Sequence, residues 1–350
     1  MTASSPLSHQ RVSTPVKIPP LLLLALSSAA VAQPSTGPAA DANAPRIFLA
    51  ASDVDARVVQ ADAAAKAAVP FDAAHATPAL VSAREQFEYD YLQKAGAALQ
   101  AGPFRAFLDF HIMPRVGNGF RTHHNEAELL LVLKGTGALS VGGTLVDAKQ
   151  VETDEFQNIQ FQAPSANGAT AHEMAAGSVI LLPPDIVHGQ TRVDGGGTVT
   201  MDLRLPFPAH AAAPSMSLKR AFLSRQDVEQ RLAAADANIA ADWAHSDHTP
   251  AARERLENAA LQRGGALLES GPFRAVLDYR LAGVKHAPER HAKAAQLEVI
   301  LEGAGTFTVG GTAYAVNRGD ILLIPPGDAY ALTQVSQDKV VMLSMPLPLP

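Results

Sequence analysis

The sequence predicts a mainly β protein built from two tandem barrels or sandwiches, each preceded by short α-helices. Three observations lead there. The segment Leu99-Gln-Ala-Gly-Pro-Phe-Arg-Ala-Phe-Leu-Asp109 recurs as Leu268-Glu-Ser-Gly-Pro-Phe-Arg-Ala-Val-Leu-Asp278, so the chain is a duplication. Apolar and polar residues alternate in short runs, as in Val199, Met201, Leu203 and Leu205 against Thr200, Asp202 and Arg204, which is the period of a half-buried strand. Gly-Gly and Pro-Pro punctuate these runs at short intervals, the rhythm of a closed or two-sheet β-domain.

The chain has 350 residues, 47% hydrophobic and 18% charged, enough for two domains with substantial cores. Its formal net charge of −6 provides no basic field for a phosphate backbone, so nucleic acid is not an expected partner. There are no cysteines, which excludes disulfides and thiolate ligands.

Residues 1–32 read as an export signal. Arg11 and Lys17 precede the apolar run 21–26, and Ala30-Val31-Ala32 forms an A-x-A cleavage site before Gln33. The run falls short of the roughly 20 residues a membrane span requires, so no membrane association is expected after cleavage. A periplasmic or secreted location follows. Residues 33–45, rich in Pro, Ala, Ser and Gly, suit a flexible linker.

The first domain is expected over 46–208 and the second over 209–350. Phe48-Leu-Ala-Ala-Ser-Asp resembles Phe222-Leu-Ser-Arg-Gln-Asp, and each starts a helix. Ser52 and Ser224 are the expected N-caps, with Asp55 and Asp227 three residues later near the positive end of the helix dipole. Second helices are expected around 83–99 and after Thr249-Pro250, where Thr caps and Pro fills the first turn. Strands are expected at 104–112, 129–133, 138–141, 179–182 and 198–205. The span from Gly143 to Gly177 is far longer than its counterpart from Gly311 to Gly319, and the extra segment, about 147–172, reads as a long loop bordering the site.

Chemistry concentrates in the first half. His123, His124, Glu128 and His188 lie between the repeated anchors, where the second half has His291, Ala292, Gln296 and Tyr330. Imidazoles with one carboxylate suit a divalent metal. Here the sequence resembles the cupin superfamily. Residues 117–135 resemble its first motif: Gly, five residues, His-x-His, three or four residues, Glu, six residues, Gly. Gly177-Ser-Val-Ile-Leu-Leu-Pro183-Pro-Asp-Ile-Val-His188 resembles its second. Because both halves match, the chain resembles a bicupin, which implies two jelly-roll (double-stranded β-helix) barrels, the second with a degenerate site.

One motif histidine is missing. A four-residue spacing before Glu128 selects His123 and puts Arg121 in the first histidine's place; a three-residue spacing selects His124 and puts Thr122 there. His123 is preferred because it aligns with His291, with His124 as the alternative. The expected ligand set is therefore His123, Glu128 and His188, with iron or manganese ahead of zinc or nickel. The resemblance implies a metal-dependent oxidoreductase, dioxygenase-like, taking a small organic molecule. The alternative is a non-catalytic bicupin that binds a metal or small molecule, and a homodimer is an assembly the degenerate half would serve.

Overall fold

The computed structural model describes residues 46–70, 77–111, 119–152, 159–207 and 218–350. The expected export segment and linker lie outside them, as does Gly117 of the first motif. Among the described residues no helix is long and apolar enough to cross a membrane.

Four helices arrive in two pairs: α1 (Ala51–Ala68) with α2 (Pro78–Lys94), and α3 (Arg225–Ala244) with α4 (Pro250–Arg263). The buried stripe of α1 is Val54, Ala61 and Ala65, and that of α3 is Val228, Ala235 and Ile239, the same spacing in both halves. Both stripes follow the helical period and face apolar neighbours. Ser224 caps α3 in a capping box: its hydroxyl accepts from the Asp227 amide, and the Asp227 carboxylate accepts from the Ser224 amide.

In the first half the cap is Ala50, not Ser52, and no side chain of its own turn closes the helix. Asp320 from the other half does so instead, accepting from the Ala51 amide at 2.8 Å. The second helix also starts earlier than its expected bound. Thr77-Pro78 provides the same signal as Thr249-Pro250, with the Thr77 hydroxyl accepting from the Leu80 amide, and residues 99–101 form a strand, not a helix end.

Each half is a two-sheet jelly roll. In the first, one antiparallel sheet has the order Phe222–Leu223, Val179–Leu182, Glu126–Lys134, Thr198–Pro206, Phe104–His111, Leu99–Ala101. The facing sheet runs Thr170–Ala175, Thr136–Val141, His188–Val193, Phe120–His123, Ile159–Ala163, Lys149–Glu152. The second barrel repeats the scheme, with Phe48–Leu49, Ile321–Ile324, Ala294–Glu302, Lys339–Pro348, Phe273–Leu281 and Leu268–Ser270 in one sheet and four strands in the other. In each half, one edge strand of the first of these sheets comes from the opposite half: Phe48 pairs with Leu322, and Phe222 with Ile180.

The described residues of the segment expected as a long loop, which exclude 153–158, are largely strand. Thr170 pairs with Val141 as Thr312 pairs with Val309, so the insertion occupies 144–169, and His172 belongs to the barrel itself. The inserted strands Ile159–Ala163 and Lys149–Glu152 widen the sheet beside Phe120–His123. The equivalent strand of the second barrel, Glu289–Arg290, has a neighbour on one side only.

The alternation along Thr198–Pro206 carries an unusual meaning. Val199, Met201 and Leu203 pack into a core shared by both halves, together with Leu297, Val299, Leu343 and others. Thr198, Thr200 and Asp202 are buried as well, on the face that lines the first barrel. Polar residues thus point inward and apolar ones toward the neighbouring domain. Apolar barrel interiors remain deeper in, around Leu130, Leu139 and Ile180 in the first and Ile300, Phe307 and Met342 in the second.

Candidate metal centre

Period-2 geometry sets Arg121 and His123 on one face of the strand Phe120–His123. Asn125, at φ 64°, turns the chain into Glu126–Lys134, whose Glu126 and Glu128 enter the same interior. His188 opens its own strand directly opposite Arg121. The loop before His188 needs a left-handed residue. Asp185 provides it at φ 62°, Gly327 does so in the second half at φ 86°, and their amides donate to the His123 and His291 carbonyls at 2.8 and 2.9 Å. The motif glycines Gly135 and Gly303 have a steric reason too, since a Cβ on either would fall 2.2 or 2.0 Å from a backbone carbonyl oxygen of the next segment.

His123, Glu128 and His188 are 3%, 1% and 2% exposed, and each presents a ligand atom within 4.8 Å of the others'. The His188 Nε2 lies 2.7 Å from Glu128 Oε2, and His123 Nε2 lies 3.4 Å from that same oxygen. His188 Nδ1 donates to the Ile186 carbonyl at 2.9 Å, which fixes the tautomer and leaves the Nε2 lone pair facing the centre. Neither ring nitrogen of His123 has a hydrogen-bond partner, nor does Glu128 Oε2. Buried polar atoms are rarely left so, and of these His123 Nε2 and Glu128 Oε2 face each other beside His188 Nε2. The donor set fits a divalent cation.

His124 points elsewhere. It is exposed and pairs through Nδ1 with Asp185 Oδ1 at 2.9 Å.

Protonation states suit ligation. Burial, reinforced by the nearby Arg204 charge, pushes the His123 pKa well below the usual imidazole value, so the ring is neutral. Burial alone would raise Glu128, but the Arg121 and Arg204 guanidiniums overrule it and hold the carboxyl well below the usual range. Burial, with the Glu128 charge adding to it, keeps the proton on Asp202.

Four residues around the ligands were not assigned a role from sequence. Arg121 donates through Nε to His188 Nε2 at 3.1 Å and through Nη2 to Glu128 Oε1 at 2.8 Å. Arg204 donates to Glu126 Oε1 at 3.1 Å and Asp202 Oδ2 at 2.7 Å. Glu126 Oε1 lies 3.3 Å from His123 Nδ1. The signal for them was the alternation Thr200, Asp202, Arg204 and the spacing Arg121-x-His123, which read as a solvent face until the barrel closes around it. A cavity of about 40 Å³, lined by His111, Arg121, Gln162, His188 and Thr200 among others, adjoins the centre. Gln162 brings the insertion to its wall.

The second barrel uses the equivalent atoms on itself. His291 Nε2 and the Tyr330 hydroxyl are 2.8 Å apart, and Gln296 Nε2 donates to Ser344 Oγ and Glu298 Oε1 at 2.8 and 3.0 Å. Burial keeps Glu298 protonated well above the usual carboxylate range and raises the Tyr330 phenol.

Residues 279–346, the bulk of the second barrel, match the family described as Cupin domain. No curated protein sequence matches the chain. Among solved structures, salicylate 1,2-dioxygenase from Pseudaminobacter salicylatoxidans is 14% identical, over 72% of this chain and 73% of that one, with a TM-score of 0.45. A gentisate adduct of the salicylate 1,2-dioxygenase from Pseudoaminobacter salicylatoxidans is 12% identical, over 72% and 70%, with a TM-score of 0.44. AerE from Microcystis aeruginosa is 11% identical, over 72% and 90%, with a TM-score of 0.39.

Proposed function

We propose, from two tandem cupin barrels of which the first holds a buried His-Glu-His cluster, that this protein is an exported metal-dependent oxidoreductase of the dioxygenase type acting on a small organic molecule. One observation carries the reading: the unpartnered His123 Nε2 and Glu128 Oε2 are brought together with His188 Nε2. His123, Glu128 and His188 would hold the ion. A divalent ion bound by two imidazoles and a carboxylate keeps open coordination positions at which a substrate and dioxygen can be brought side by side. Iron or manganese is the preferred ion, zinc or nickel the alternative.

The surrounding residues do the rest. The Ile186 carbonyl orients His188, and Arg204 keeps Glu126 and Asp202 in place. The export part of the reading rests on the pattern of residues 1–32; the mature protein is expected to begin at Gln33, which N-terminal sequencing of the secreted product checks.

The test is metal content by mass spectrometry on the purified protein, then oxygen uptake with phenolic and organic-acid candidates. Stoichiometric metal is expected in the wild type and none in Glu128→Gln. Metal retained in Glu128→Gln, yet removed by changes at His291 or Gln296, overturns the assignment. A second reading, a bicupin that binds without turnover, is favoured by the cavity's size, since about 40 Å³ accommodates water and not an organic substrate. Metal without oxygen uptake selects it.

A further inference from the structure

We propose that Arg121 is a resident cation of the first barrel, standing on the lone pairs that a metal ion needs, so that metal affinity is set by the displacement of this one side chain. The inference rests on the metal reading above and adds to it the residue that opposes the ion.

Its geometry is specific. Arg121 takes the place where the first histidine of the motif is expected, on the same strand face as His123. Its Nε hydrogen is given to His188 Nε2, and its Nη2 hydrogen to Glu128 Oε1. His188 has its Nδ1 hydrogen committed to the Ile186 carbonyl, so Nε2 is the ring's one lone pair, and it either accepts from Arg121 or binds an ion. Glu128 is the site's charged ligand; Arg121 holds its Oε1, while Oε2 faces the two imidazoles. Two of the three donor residues are therefore engaged by one guanidinium, in the forked geometry that suits a carboxylate and a neighbouring acceptor.

Charge balance points the same way. Arg204 pairs with Glu126 Oε1 at 3.1 Å and reaches Glu128 Oε1 only at 3.5 Å, against 2.8 Å for Arg121, so Arg121 is the nearer guanidinium of Glu128. A divalent ion entering with Arg121 in place would meet that positive charge in a buried setting where screening is weak. The side chain has somewhere to go. It is 22% exposed, at the wall of the small cavity, and its Nη2 already lies 3.6 Å from Asp202 Oδ2. In the second barrel the equivalent strand bears Glu289 instead, and there the Tyr330 hydroxyl meets His291.

The experiment measures Zn²⁺ and Mn²⁺ binding by competition with a chelating dye, and melting temperature with and without each ion, for wild type, Arg121→Gln, Arg121→Lys and Glu128→Gln. Arg121→Gln is expected to bind at least ~100-fold more tightly than wild type, because a neutral side chain neither repels the ion nor holds the His188 lone pair against it. Arg121→Lys, which keeps the charge but lacks the fork, is expected in between. Without metal, Arg121→Gln should melt below wild type; with metal, its gain should exceed the wild type's. If Arg121→Gln folds only poorly, the Arg121→Lys titration and its metal-dependent melting shift decide alone.

Arg121 variants that bind no more tightly than wild type, while Glu128→Gln abolishes binding, overturn the Arg121 proposal and leave the metal reading standing. Absence of binding in every protein, or binding unaffected by Glu128→Gln, overturns the metal reading and the proposal with it.

Discussion

At the scale of single residues, the two barrels solve the same problem of a buried polar interior in opposite ways. The first keeps its carboxylate charged with guanidiniums, the second keeps its carboxyl neutral by burial. Glu298 is 2% exposed, accepts from Gln296 and Ser344 through Oε1, and has no partner for Oε2. Its folded pKa is raised well above the usual value, burial being the main cause. The unfolded chain ionises this group near the ordinary carboxylate value, about 4.3, while the fold keeps it protonated. Stability is therefore lost as pH rises from that value toward the raised one, at about 1.4 kcal/mol per unit for this group. Glu298→Gln is expected to raise the melting temperature at pH 8 and to change it little at pH 4. A calorimetric series showing the same effect at both pH values would mean that Glu298 is not held neutral.

At the scale of elements, the insertion is the clearest difference between the halves. Its strand Ile159–Ala163 pairs with Phe120–His123, placing Gln160 opposite His123 and Gln162 opposite Arg121. Deleting residues 144–169, so that Gly142-Gly143 joins Val141 to Thr170 as Gly310-Gly311 joins Val309 to Thr312, would return the first barrel to the plan of the second. The barrel is expected to fold, with metal affinity lowered about tenfold because the strand bearing Arg121 and His123 becomes an edge. Unchanged affinity and unchanged ligand access would remove the insertion from the site. This segment also shows where sequence reading stops. Val179–Leu182 and Thr198–Pro206 were legible because their apolar residues repeat and are bracketed by turns. His123, Glu128 and His188 were legible because their types and spacing match a motif. The insertion was not, although Ile159-Gln-Phe-Gln-Ala163 alternates, because that run is short and lies in a stretch rich in Gln, Asn and Ala, and strand formation there depends on pairing with a distant edge. The inward direction of Asp202 and Arg204 was hidden for a related reason: alternation reports two faces, but only the second barrel behind the sheet decides which one is covered.

At the scale of the whole molecule, the halves are joined by more than a linker. One apolar core draws on both, one sheet of each half borrows an edge strand from the other half, and Asp320 supplies the helix cap that Ala50 lacks. Residues 46–207 and 218–350 produced as separate chains are each expected to lack a cooperative melt, since each would leave an apolar strand and half of that core in water. The intact protein is expected to melt in a single transition. Two resolved transitions in calorimetry, or a stable isolated half, would contradict the shared core.

The exchange of outer strands also has a consequence in time. Phe48–Leu49 is among the earliest parts of the fold to be synthesised, yet its neighbour Ile321–Ile324 is among the last, and Val179–Leu182 waits in turn for Phe222–Leu223. Closing contacts so distant in sequence is slow, because the chain entropy is spent before the pairing is gained. Until then Phe48–Leu49 has no partner and Val-Ile-Leu-Leu stands as an uncovered edge, the kind of segment that pairs with copies of itself. The duplication that gave the chain a second barrel also made neither barrel able to finish first.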